Sequence, residues 1–271
     1  SQGLHFFTNT GWETQATRTG APIFGIRDAL IGTIVTSFFA LIIGVPTALC
    51  AALFISEYAP AKLRPPATSL IDLLAAVPSV IYGLWGFLFL SSHMTGIARF
   101  LSDHVSFIPF FGTNSPVLTS SQFIAGTVLG LMVVPIVASI AREVFSLTPV
   151  AEREAALALG ASRATVIRRV VLPFSRGGLI GAVMLGLGRA MGEAIAVSII
   201  LSLTYANPYH ILQVGGETIA SLIAVKDGSG GKLGLAGLFA AGLSLFVFTL
   251  IINSLASMIV KRSRSAQAVE L

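Results

Sequence analysis

Two stretches of this sequence hold residues able to do work that their neighbours cannot. The first is Gly188-Arg189-Ala190-Met191-Gly192-Glu193-Ala194, inside an apolar run from about Gly177 to Leu203. A charged side chain at a bilayer centre costs roughly 2.5–3.5 kcal/mol on insertion scales, so Arg189 and Glu193 need a reason to be there. Their i, i+4 spacing predicts one shared helical face, within mutual reach. Arg before Glu is the weaker order for such a pair, so mutual neutralisation alone explains them poorly. Two readings stay open. In one, the two charges form a buried salt bridge that fixes helix packing. In the other, they face a polar path, where a guanidinium suits an anion with planar or tetrahedral oxygens through paired N–H donors. The run also carries Gly177, Gly178, Gly181, Gly186, Gly188 and Gly192, small residues that let backbones approach closely.

The second stretch is Glu154-Ala155-Ala156-Leu157-Ala158-Leu159-Gly160, closed downstream by Leu172-Pro173. It is a soluble segment between apolar runs and reads as a pair of short helices. Thr148 can cap the first, and Pro149 suits its first helical position, where a missing N–H costs nothing. Ala155 to Leu159 are good helix formers, and Gly160 supplies the backbone freedom of a helix end. Ser162 can cap a second helix that carries Arg163, Arg168 and Arg169 and ends before Pro173. The small side chains of the first helix let another protein come close. Residues 148–173 therefore read as a docking handle at the membrane surface.

These stretches belong to an integral membrane chain. Of its 271 residues 54% are hydrophobic and 11% charged, against roughly 25% charged in a soluble domain. Apolar runs fall at about Ala29–Ile55, Ser69–Ser91, Gln122–Ala141, Gly177–Leu203 and Ala236–Val260, each near or above the ~20 residues that cross a bilayer. Five spans follow, with residues 1–28 as an interfacial N-terminal segment, 29–260 as the permeation domain, 142–176 as the handle loop and 261–271 as a tail. Pro46, Pro78 and Pro135 lie inside runs and predict kinks rather than moving hinges. Tyr82 and Trp85 suit an interface or a helix contact. The Ile97–Leu101 stretch predicts a short surface helix, His210–Val225 a partial one, and Asp72 an interfacial position. No initiator Met or signal peptide stands at Ser1, so a further membrane helix before it is expected.

Alternate loops fall on opposite sides of the membrane. Lys62 and Arg64, six arginines from Arg142 to Arg176, and Lys261, Arg262 and Arg264 make eleven basic residues on one side, against five on the other. The positive-inside rule then places the handle and the C-terminus in the cytoplasm. The net charge of +5 is spent on topology, which excludes a nucleic-acid partner. Cys50 is the single cysteine, and His5, His93, His104 and His210 lack ligand spacing, so no metal site is expected. A membrane enzyme would need converging nucleophiles or carboxylates, and none converge. Secondary carriers often show inverted repeats with paired broken helices, and no second copy of the glycine-rich charged helix stands in the sequence.

The Glu154-Ala155-Ala156-x3-Gly160 pattern with Leu172-Pro173 resembles the EAA signature of ABC-importer permeases, departing at Val170, where Ile is usual. Leu73-Leu74-Ala75-Ala76-Val77-Pro78-Ser79-Val80-Ile81-Tyr82-Gly83-Leu84-Trp85-Gly86 and Gly188–Ala194 are similar to signatures of the phosphate-specific permeases. The opening Gly3–Phe7 with Trp12 favours their PstC type. The resemblance implies an all-α type I importer bundle in a prokaryotic plasma membrane, usually of six spans. It implies a coupling segment at Glu154, Ala155, Ala156, Gly160, Leu172 and Pro173 that fits an ATPase cleft, and a role for Arg189 and Glu193 in phosphate passage. Its implied partners are a PstA-type permease, two ATPase subunits that hold ATP-Mg, an extracytoplasmic phosphate-binding protein and membrane lipids. No cofactor is expected on this chain. The rival within the resemblance is another oxyanion importer, for sulfate or molybdate.

Overall fold

The computed structural model describes residues 3, 5–13, 23–108, 110–112, 117–201, 210–228 and 230–268, with side chains to Met258. Residues 14–22, Pro109, Asn114, Pro116, Leu203 and the side chains of Lys261, Arg262 and Arg264 lie outside the described residues.

In chain order, α1 (His5–Thr8) leads to a small hairpin, β1 (Trp12–Glu13) antiparallel to β2 (Ile23–Phe24). Next come α2 (Arg27–Leu53), extended by a π turn over Phe54–Tyr58, then α3 (Arg64–Ala76) and α4 (Ser79–Trp85). A π turn over Gly86–Leu90 joins α4 to α5 (Ser91–His93), and α6 (Thr95–His104) follows as the expected surface helix. Then come α7 (Gln122–Ser146), α8 (Val150–Ala158) and α9 (Arg163–Val166). A π turn over Ile167–Val171 joins α9 to α10 (Leu172–Gly192). The chain closes with α11 (Ile195–Ile200), α12 (Ile219–Lys226) and α13 (Gly231–Ala268).

Among the described residues four helical stretches are long and apolar enough to cross a membrane: Arg27–Tyr58, Gln122–Ser146, Arg163–Gly192 and Gly231–Met258. A fifth crossing is reached only if α3 and the Ser79–His93 helix, bent by 88° at their junction, count as one. Pro78 thus breaks its helix, whereas α2 and α7 run on through Pro46 and Pro135. Two helices differ in extent from their apolar runs: the one carrying the fourth run starts at Arg163 and ends at Gly192, and the last helix runs to Ala268.

The centre of the bundle is α7. In its most apolar stretch 72% of residues are buried, against 11% in α13. Lipid tails are as apolar as leucine, so helices associate in a membrane through close packing and small residues. The α2–α7 contact follows that rule. A Cβ on Gly44 would lie 2.7 Å from the Gly130 carbonyl oxygen, and one on Gly130 would lie 3.0 Å from that of Ala40. On another side of α7, a Cβ on Gly178 would fall 2.6 Å from Val144, and one on Gly186 2.8 Å from Val133 and Val137. These two glycines seat α10. Two of the other glycines on that helix, Gly181 and Gly188, have nothing within 4 Å of where a Cβ would stand. The glycines of α10 therefore divide into a packing face and an open face.

A second, smaller core anchors the N-terminal segment. Trp12 and Phe24 meet edge to face at 4.9 Å and pack with Ile26, Ile219, Leu222 and Leu238. Thr218 and Ser221 form a reciprocal capping box that starts α12, satisfying donors that a buried helix end would otherwise leave open.

Candidate functional site

The handle folds as one short helix followed by a turn into a span. Its helix, α8, starts after Pro149, and Thr148 does not cap it: the Thr148 hydroxyl is turned inward and has no partner among the described residues. The C-terminal end follows the expectation. Gly160 sits at φ +82°, its N–H donates to Leu157 O at 2.9 Å, and the Ala161 N–H donates to Ala156 O at 3.1 Å. That is the bonding pattern of a Schellman turn, which requires a residue at ease in the left-handed region. Ser162 does cap the next helix, accepting from Thr165 N at 3.3 Å.

That second helix is not short. It continues through the π turn into α10, with Pro173 near the new start. Proline removes one i→i−4 bond from a helix interior, and the wider i→i+5 turn just before Pro173 is the local adjustment that lets the chain pass it without stopping. The handle is therefore continuous with the long helix that ends at Gly192. Any push on α8 is passed across one Gly160 turn into a helix that reaches Gly192.

Glu154 and Ala155 are exposed on α8, Ala156 is half-buried against the core, and Val150, Leu157 and Leu159 present apolar side chains outward. Leu172 and Pro173 are half-buried at the foot of α10 and support the handle rather than forming its face. Arg153 pins the helix from below. Its Nη1 donates to Glu57 Oε1 at 2.8 Å and its Nη2 to the Phe145 carbonyl at 2.5 Å. One side chain thus ties α8 to the ends of the first span and of α7. Sequence reasoning missed this contact, because its partners lie 96 residues apart.

The stretch Gly188–Ala194 contains a backbone break. Gly192 ends α10, Glu193 is extended at ψ 111°, and α11 begins two residues later. Arg189 and Glu193 do not share a helical face, and no ion pair joins them among the described residues. Glu193 Oε1 instead accepts from Ala196 N at 3.2 Å, which meets one of the open donors at the start of α11. The Val77-Pro78 break lies close by, since α4 packs on α11 so tightly that a Cβ on Gly83 would fall 2.8 Å from Ala196 Cα. Across that break the Tyr82 hydroxyl donates to the Leu74 carbonyl at 3.0 Å, so a carbonyl freed at membrane depth still has a partner. Both signature stretches thus sit at neighbouring discontinuities, where irregular backbone is tolerated because it borders protein or a cavity.

Arg189 is exposed and lines a cavity of about 930 Å³ between α10 and α13. Gly181, Gly188, Met184, Asn253 and Ser257 share its wall. The open glycine face of α10 is the floor of this cavity. Asn253 carried a signal of its own, as a polar residue in the last apolar run, and was not singled out. Among the described residues no three His, Cys, Asp or Glu side chains gather to hold a metal ion.

A bundle of long apolar helices with a short exposed handle and an arginine on an open cavity has the build of a membrane transport component. Residues 40–265 match the model of the family described as binding-protein-dependent transport system inner membrane component, and the chain belongs to that family. It is 42% identical over 255 residues to the Mycobacterium tuberculosis phosphate transport system permease protein PstC 2, covering 93% of this chain and 78% of the relative. It is 38% identical over 266 residues to the Xylella fastidiosa phosphate transport system permease protein PstC, covering 96% and 80%. Among solved structures, a chain of the inward-facing MetNI methionine ABC transporter superposes with a TM-score of 0.60 at 18% identity, over 88% of this chain and 94% of that one. The fold is that of an ABC importer permease, and such a subunit transports rather than catalyses.

Proposed function

We propose that this chain is one of two permease subunits of an ATP-driven importer of inorganic phosphate. The observation that carries the reading is Arg189, a guanidinium unpaired among the described residues on the wall of a cavity of about 930 Å³, beside two helix breaks. Relatives named as phosphate permeases supply the substrate class. A guanidinium offers paired donors to a tetrahedral oxyanion, and a single one holds it loosely enough to let it go.

In this reading the path runs along α10 and α13 and is completed by a PstA-type permease. An extracytoplasmic phosphate-binding protein delivers the anion. Glu154, Ala155 and Ala156 on α8 are gripped by one of two ATPase subunits, where ATP and Mg bind, and this chain holds neither. The chain lies in a prokaryotic plasma membrane, with the handle and the C-terminus in the cytoplasm by the bias of its basic residues. The test is ATP hydrolysis by the reconstituted complex, stimulated by binding protein loaded with phosphate or with sulfate. Stimulation by phosphate is expected, and a response to sulfate alone contradicts the substrate.

A further inference from the structure

A second cavity, of about 320 Å³, lies under the handle, away from Arg189. Its wall brings together Ser56 and Glu57 at the end of the first span, Arg64 at the start of α3, Arg142 near the end of α7, Thr148 in the linker, and Arg153 on α8. Four of these side chains present buried polar atoms with no partner among the described residues: Ser56 Oγ, Arg142 Nε, Thr148 Oγ1 and Arg153 Nε. Thr148 is only 3% exposed. A buried polar atom without a hydrogen bond costs about 1–3 kcal/mol, and such atoms are few in native proteins. Four around one small cavity indicate a missing partner.

The chemistry of the wall says what kind. The orphaned atoms are guanidinium N–H groups and hydroxyls, all able to donate. Three arginines face one carboxylate, Glu57, and that carboxylate is already engaged by Arg153 Nη1. Of the Arg64 guanidinium, Nε is engaged by the Ala59 carbonyl at 2.9 Å. Water can fill hydrogen bonds but leaves the surplus of positive charge uncompensated. A compact anion with several acceptor oxygens answers both needs.

We propose that this cavity binds a phosphate-bearing anion, either free phosphate from the cytoplasm or the headgroup of an anionic lipid. Bound there, the anion joins the first span, α3, α7 and α8 through one centre. Its occupancy then sets how firmly the handle is held to the bundle. The proposal is independent of the path reading, because Arg189 takes no part in this wall.

The test is thermal unfolding of the purified full chain in phosphatidylcholine nanodiscs, titrated with inorganic phosphate. A parallel arm uses phosphate-free buffer and nanodiscs containing phosphatidylglycerol. A rise in unfolding temperature with phosphate assigns the site to the free anion, and a rise with phosphatidylglycerol alone assigns it to the headgroup. Arg142→Gln and Thr148→Val should each raise the half-saturating amount of the active species about tenfold, the loss of one charge-assisted or buried hydrogen bond. Arg189→Ala should leave it unchanged. Thr148→Val removes only a hydroxyl, so it decides the matter even if Arg142→Gln fails to fold. No response to either species overturns the proposal. So does a response that survives in every wall variant that folds, or one that disappears with Arg189→Ala.

Discussion

Two arginines in this chain each have a glutamate at hand and use it differently. Arg153 reaches across 96 residues to Glu57 and closes a 2.8 Å ion pair, with its other nitrogen on a helix-end carbonyl. Arg189 stands four residues from Glu193 and makes no such pair, because the helix ends between them and Glu193 turns to the start of the next. The first pair lies partly shielded, with side chains 23% and 13% exposed, and acts as a clamp. The second arginine faces an open cavity inside the membrane region. A membrane helix keeps an unpaired charge only at a cost, so its retention points to a partner that comes and goes.

That contrast can be broken at either end. The largest effect is expected at the open arginine: Arg189→Ala should abolish phosphate uptake while the protein still inserts and assembles, and uptake at the parent rate would return Arg189 to a packing role. The clamp should behave as an exchangeable pair. Arg153→Glu or Glu57→Arg alone should lower uptake about tenfold or more, by the 1.5–3 kcal/mol typical of a charged hydrogen bond, and raise ATP hydrolysed per phosphate moved. The double exchange should recover most of both. No rescue would mean that the carbonyl contact of Arg153, rather than the ion pair, holds α8.

A third carboxylate sharpens the comparison from the side of stability. Glu217 is 3% exposed, and burial, with a smaller push from Asp28 and an opposing pull from Lys226, raises its pKa from an ordinary 4.5 to about 7. The folded chain therefore holds that proton more tightly than the unfolded one. Stability from this group is full below about pH 4.5, falls as pH rises through about 7, and is flat above, a total of about 3 kcal/mol. Glu217→Gln should remove that slope in unfolding measured from pH 5 to 8, with little change in uptake. An unchanged slope would mean that another group carries the proton.

Local signals were legible in the sequence, and contacts between distant segments were not. Gly160 and Ser162 act within a few residues of themselves, so their roles at a helix end and a helix start could be read directly. Thr148 had the right residue type for a cap, but its hydroxyl is buried without a partner among the described residues in the wall of the arginine-lined cavity. Pro173 was expected to stop a helix, and the π turn before it absorbs the lost bond. The i, i+4 argument for Arg189 and Glu193 assumed one continuous helix, and the break after Gly192 removed its premise. Spans were found by hydropathy and a kink at Pro78 by residue type, but neither the 88° size of that bend nor the fit of Gly83 against Ala196 is encoded by a local pattern.

In the proposed function, the open glycine face of α10 borders a watery anion path. The direct measurement is labelling of single cysteines by a membrane-impermeant, charged thiol reagent in the assembled complex, in a Cys50→Ser background because Cys50 is exposed. Gly181→Cys, with open space around its Cβ, should react and be slowed by phosphate, while Ala182→Cys, at a fully buried position, should not react. If Gly181→Cys is as silent as Ala182→Cys, that face meets lipid or protein, and the path lies elsewhere.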